Sequence, residues 1–245
     1  MVEIPFAPAQ YWSLFSGESA ALLNAYARAT TAEMVPACPG WTVARLGRHI
    51  GGIYHRTAKV LAEQLTEPPE TEIGPESDDG VGAWLARGVQ QLIEVFLLTD
   101  PAIPVWTMAG VQPGAFLARR LTHETMVHTF DLEALHRPQH RPAPLTIADG
   151  IDEFIDLQLV RKIERNRLPG FTGTLALDAS DAATRFVVEI TPERVIRRAA
   201  TDEVDATVRG RAIDLILFLW HRNESERLTL EGKESLLSGL RDFVF

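Results

Sequence analysis

The chain is 245 residues long with 46% hydrophobic and 23% charged residues, enough for a sizeable core and too apolar for a disordered chain. Its 24 Lys and Arg against 33 Asp and Glu leave a net charge of −9, which argues against a protein built to neutralise nucleic-acid phosphates or anionic lipid. The one cysteine, Cys38, excludes an internal disulfide framework and a thiolate-rich zinc site, and fits a reducing compartment.

In chain order, Gln10 to Ala29 carries Leu14, Phe15, Leu22, Leu23 and Tyr26 close to a 3.6-residue period and reads as a helix. Cys38-Pro39-Gly40-Trp41 is a turn, and Thr42 is the expected N-cap of a second helix running to about Leu65. Val43, Leu46, Ile50, Ile53 and Val60 lie on or near one face of it. Arg45, at the third helical position, stands where a carboxylate would suit the helix dipole better. Gly51-Gly52 inside that helix points to close contact with a neighbour. Residues 66–80 are acidic and contain Pro and Gly, so they read as an exposed loop. Val81 to Leu98 is a third helix, an irregular stretch begins at Asp100-Pro101, and Phe116 to Leu135 is a fourth helix.

Four amphipathic helices of about 18 to 24 residues with long connections predict a four-helix bundle over residues 1–141. Residues 136–144 read as a linker, followed by a helix from Ile147 to Arg165 with Ile151, Phe154, Ile155 and Leu159 on its apolar stripe. After Leu168-Pro169-Gly170 the period changes. Thr174–Leu177, Arg185–Ile190, Arg194–Arg198 and Asp205–Val208 alternate as strands. A helix from Ala212 to Trp220, a strand Leu228–Leu230 and a helix Lys233–Phe243 finish a small domain spanning 142–245. The fold class is α+β. The N-terminus lacks a basic region followed by an apolar run, and the most apolar stretch, Ile213 to Trp220, is far short of the roughly 20 residues that span a bilayer. The expectation is a soluble, cytoplasmic protein with no nucleic-acid or membrane partner.

Chemistry concentrates between Arg119 and Asp131. Glu124 and His128 are four apart and share one helix face, and Asp131 follows three residues later on that face. His123 diverges from His128 by about 140°, and the spacing is not that of the HExxH zinc proteases. A carboxylate and an imidazole one turn apart supply two metal ligands, and zinc needs at least one more. His49 lies three residues from Leu46 and four from Ile53, so it faces inward on the second helix and is the best third ligand; His55 points away from it. The competing readings are a hydrogen-bonded core histidine at His49 and a solvated Glu124/His128 pair salt-bridged to Arg120. Cys38 reads as a packing residue in its turn. Arg222, after Trp220-His221, either complements the end of its helix or reaches an anionic ligand.

The run Cys38-Pro39-Gly40-Trp41-Thr42-Val43, then Leu46 and His49, then Arg120, His123-Glu124-Thr125, Val127-His128 and Asp131, resembles the mycothiol-dependent maleylpyruvate isomerase family. Ala148-Asp149-Gly150-Ile151-Asp152-Glu153 is similar to it as well, as is the stretch from Ala206-Thr207-Val208-Arg209-Gly210 through Asp214-Leu215 and Leu219-Trp220 to Arg222. The resemblance covers nearly the whole chain. It implies a DinB-like four-helix bundle carrying one divalent metal, followed by a small α/β domain like sterol-carrier folds. The implied ligands are His49, Glu124 and His128, the triple that spacing selects. It further implies that the metal, for which zinc suits these ligands, holds mycothiol as a thiolate, and that Arg222 serves an acidic substrate.

Two departures stand out: Arg45 where an acidic residue is common, and Thr129-Phe130 in place of an aromatic-tryptophan pair, which is expected to reshape the mouth of the site. The expected function is a metal-dependent S-transferase or isomerase in which a metal-bound thiolate attacks a small electrophile. Asp131 is either the partner that fixes the His128 tautomer or a plain polar residue. The alternatives are a hydrolase using metal-bound hydroxide and a non-catalytic metal- or ligand-binding regulator.

Overall fold

The computed structural model describes residues 6–70, 73–161, 163, 171–200, 203–223 and 225–241. They form two compact units, Phe6–Arg141 and Pro142–Phe245.

In the first unit, α1 (Pro8–Arg28) begins with proline at its first turn, where a missing N–H costs nothing. Residues 38–41 form a type II turn: the Trp41 N–H donates to the Cys38 carbonyl at 2.9 Å, and Gly40 takes the φ of +78° that favours glycine. Thr42 then caps α2 (Val43–Ala62), its hydroxyl accepting from the Arg45 N–H at 3.2 Å. The helix α3 (Val81–Leu98) follows an exposed connection. α1 packs on α4 (Gly114–Glu133), and α2 packs on α3. Phe15 ties the bundle together, meeting Tyr54 edge-on at 5.5 Å and Phe96 at 5.6 Å.

α3 with its preceding turn, 78–98, is long and apolar enough by length and composition to cross a membrane, a stretch that the expectation built on Ile213–Trp220 passed over. Its Val81, Trp84, Leu85, Val89, Leu92 and Phe96 are buried in the bundle, which is how a core helix uses such a composition. The glycine expectation is half right. A Cβ on Gly51 would come within 2.4 Å of Trp84, whereas Gly52 has no neighbour nearer than 3.8 Å. Gly47 is the second close approach, 2.7 Å from the Tyr26 and Val81 side chains.

The stretch after Asp100-Pro101 is not irregular throughout. It holds an antiparallel hairpin, β1 (Pro104–Thr107) and β2 (Gly110–Pro113), whose turn needs Gly110 at φ +86°. Pro104, Gly110 and Pro113 within these short strands read as turn residues and hide the alternation. The linker is also shorter than expected, because Pro144 opens α5 (Pro144–Glu153) as its first helical residue. Residues 139 and 140 are anchored, their N–H groups donating to the Glu133 carboxylate at 2.9 Å.

In the second unit α5 widens into a π-helical stretch, Phe154–Leu159; the predicted end of this helix at Arg165, and Leu168-Pro169-Gly170, lie outside the described residues. A five-stranded sheet follows, made of β3 (Gly173–Ala179), β4 (Thr184–Ile190), β5 (Val195–Arg198), β6 (Ala206–Gly210) and β7 (Thr229–Gly232) in the order β5-β4-β3-β6-β7. β3 and β6 are parallel and the other neighbours antiparallel. α6 (Ala212–Leu219) packs on β3, β6 and α5, and α7 (Glu234–Arg241) packs on β6. The predicted extension of the last helix to Phe243 lies outside the described residues. The chain is thus α+β, a helical N-terminal region followed by a C-terminal sheet domain.

Candidate metal centre

α2 and α4 run antiparallel across a groove. Tyr54 and Thr125 hydroxyls bond across it at 2.6 Å, and His49, five residues earlier on α2, meets Glu124 and His128. The Nε2 atom of His49 lies 3.4 Å from Glu124 Oε1, and the Nε2 atom of His128 lies 3.2 Å from the same oxygen. The three donor atoms all fall within 4.8 Å of one another. With bonds of 2.0–2.1 Å, a tetrahedral zinc ion sets its ligand atoms about 3.3 Å apart, so this spacing is close to the edge length of such a site. Two imidazoles and a carboxylate, with room for a further ligand, are the donor set of an open zinc site.

Each donor is held by a neighbour. His128 directs Nδ1 to Asp131 Oδ2 at 2.8 Å, and Asp131 is fully buried, so the Nδ1–H tautomer leaves the Nε2 lone pair facing the groove. Cys38 lies 3.5 Å from that same Asp131 oxygen, so the single thiol donates to the residue behind the centre rather than only filling its turn. Arg120 engages Glu124 Oε2, leaving Oε1 for the two histidines. Trp41 packs edge-on against the His49 ring at 5.0 Å. Arg45, the awkward residue at the start of α2, lies over the Trp41 ring at 4.9 Å and donates to the Gly40 carbonyl, which braces the wall of the site.

His49 does not face fully inward as its spacing suggested: its side chain is 36% exposed, at the mouth of the centre. Desolvation there, the largest cause, with repulsion from the cationic Arg56 and Arg120, lowers its pKa to about 4. An imidazole that is neutral at pH 7 is ready to donate a lone pair to a cation.

The remaining histidines lie elsewhere. His55 is buried, stacked on Trp84 at 4.7 Å, and bonds the Trp84 carbonyl at 3.0 Å. His123 is buried against Tyr11 of α1. Thr129 and Phe130 do not shape the mouth of the site: Thr129 is buried and donates to the Thr125 carbonyl, and Phe130 lies beside His140. Their places on α4 turn them away from the face of Glu124 and His128. The sequence reading missed Trp41 as the wall of His49, although its place directly before the Thr42 cap was a usable signal.

In the second unit α6 ends in a Schellman motif. The His221 N–H bonds the Phe218 carbonyl and the Arg222 N–H bonds the Leu217 carbonyl, with His221 at φ +55° where glycine is usual. This turn presents Arg222 on a cavity of about 480 Å³ that Phe218, Asn223 and Arg241 also line. Arg222 Nη1 also donates to the Trp220 carbonyl at 2.8 Å, so the helix-end role expected as one alternative is present alongside the cavity.

Residues 12–133 match the family described as mycothiol maleylpyruvate isomerase N-terminal domain. The chain belongs to that family through this unit. A crystal structure of the mycothiol-dependent maleylpyruvate isomerase is similar at TM-score 0.63 and 16% identity, over 94% of this chain and 96% of that one. A histidine-to-alanine mutant of that isomerase is similar at TM-score 0.63 and 15% identity over the same shares. At these identities the likeness is one of fold. Comparison with curated proteins gives no match.

Proposed function

We propose that this family member is a divalent-metal-dependent enzyme that uses a low-molecular-weight thiol, mycothiol, in an isomerase or S-transferase reaction on a small electrophile. The observation that carries this reading is the convergence of His49, Glu124 and His128, whose donor atoms lie within 4.8 Å of one another. The family and the fold of the mycothiol-dependent isomerase support the choice of thiol.

A divalent ion held there, zinc by preference for this donor set, would bring the pKa of a thiol from about 8.5 to below neutrality. The chain's own residues do the rest. Asp131 keeps His128 in one tautomer, Arg120 keeps one oxygen of Glu124 out of the groove, and Trp41 limits rotation of His49. In this reading the bundle within 1–141 carries the reactive centre, and Arg222, in the domain of 142–245, is a residue for an anionic group. The lone Cys38 and the use of a reduced thiol favour a cytoplasmic location.

Elemental analysis of protein purified without chelators or a metal-affinity tag tests the centre. About one equivalent of a divalent metal is expected, lost in His49→Ala and in Glu124→Ala. Mycothiol-dependent turnover of an electrophile panel then tests the reaction. Equal turnover without thiol would indicate hydrolysis instead, and a protein that takes up no metal would overturn the proposal.

A further inference from the structure

Arg56 follows His49 by seven residues on α2, so the two share a face and lie two turns, about 10 Å, apart. Both are only partly buried, as is Ile53 between them, so the three form a partly exposed stripe along α2. The antiparallel run of α2 and α4 leads from Glu124 past the buried Tyr54–Thr125 bond to the close approach of Leu61 to Gly114. There the hairpin flanks the pair, since β1 touches both helices. The Arg56 guanidinium lies over the Trp106 ring of β1, 5.8 Å from its centre.

Arg56 has no work to do within the fold that matches its cost. Among the described residues no carboxylate pairs with it, although the chain carries an excess of acidic groups. Burial lowers its pKa, with no neighbouring acid to offset the loss of water. A guanidinium lying over an indole can still grip a carboxylate with two parallel hydrogen bonds from its planar fork. Arg56 lies two turns from His49 on one face of α2.

We infer that Arg56 and Trp106 form a carboxylate-binding subsite at the hairpin end of this stripe. It takes the acidic end of a small anionic ligand whose reactive end reaches His49, Glu124 and His128. The inference builds on the proposed centre for the ligand's orientation, while the subsite itself stands on Arg56 and Trp106. It is separate from the cavity at Arg222, which other residues of the second unit line.

The test is calorimetric titration of succinate into the zinc-loaded full chain, with zinc content measured for each variant. Arg56→Gln is expected to weaken binding at least tenfold with zinc content unchanged. Arg56→Lys, which keeps the charge and loses the planar fork, should fall between the two, and Trp106→Leu should weaken binding several-fold. Unchanged affinity in Arg56→Gln overturns the inference, as does loss in Arg222→Gln alone. Should Arg56→Gln lose zinc too, Arg56→Lys with full zinc and wild-type affinity would overturn it, and full zinc with weakened affinity would support it. A chain that holds zinc and binds succinate through Arg56 but turns over no thiol would sink the proposed function and leave the subsite standing.

Discussion

Asp131 Oδ2 lies 2.8 Å from His128 Nδ1 and is fully buried, so the ring nitrogen facing the groove is set by a residue that never reaches it. Cys38 meets the same oxygen, so the carboxylate has a second donor that limits its rotation. Asp131→Asn keeps the shape of the side chain and loses the charge that favours the Nδ1–H tautomer. Zinc affinity, measured by competition with a chromogenic chelator, should fall about 10- to 100-fold. Unchanged affinity would leave Asp131 a plain buried polar residue.

Arg120 and Glu124 are a mostly buried ion pair, their side chains 9% and 12% exposed. Arg120→Met removes one partner and leaves a desolvated carboxylate. In metal-free protein this should cost stability toward the lower end of about 3–5 kcal/mol, because water at the groove still reaches Glu124. Zinc should restore more stability to this variant than to the wild type, since the cation replaces the lost charge. Urea unfolding with and without zinc measures both effects.

His49 titrates lower in the folded protein, at about 4, than its unfolded value of about 6.5. The unfolded chain therefore takes up the proton first. This contribution to stability is complete above pH 6.5 and is lost as the pH falls toward 4. Urea unfolding of metal-free protein at pH 7, 5.5 and 4.5 should show a steeper decline for wild type than for His49→Gln. Equal slopes would place the His49 pKa near its ordinary value.

Two adjacent glycines should respond differently to a methyl group. Gly51→Ala drives a Cβ into the Trp84 ring and forces α2 and α3 apart, at a cost of about 1–3 kcal/mol in thermal or urea unfolding. Gly52→Ala makes only an ordinary contact with Trp84 at 3.8 Å and adds helix propensity, so it should be neutral or stabilising by about 0.5–1 kcal/mol.

Helix periods, the Pro39-Gly40 turn and the Thr42 cap were all legible in the chain, because each depends on residues within a few positions of one another. The Glu124/His128 pair was legible for the same reason, as one turn of helix fixes their separation whatever surrounds them. His49 could be oriented by its neighbours Leu46 and Ile53, but no spacing along the chain sets its 3.4 Å approach to a residue 75 positions away. That distance follows from how closely α2 and α3 pack at Gly47 and Gly51, and from the Tyr54–Thr125 bond across the groove. The hairpin was invisible because Pro104, Gly110 and Pro113 within its strands read as turn residues, and with it went Trp106 and its contact with Arg56. Local order along the chain thus named the side chains of the proposed metal centre. Tertiary packing decided which of their atoms meet, how exposed His49 is, and which charges bear on it, because those depend on desolvation and on contacts between distant segments.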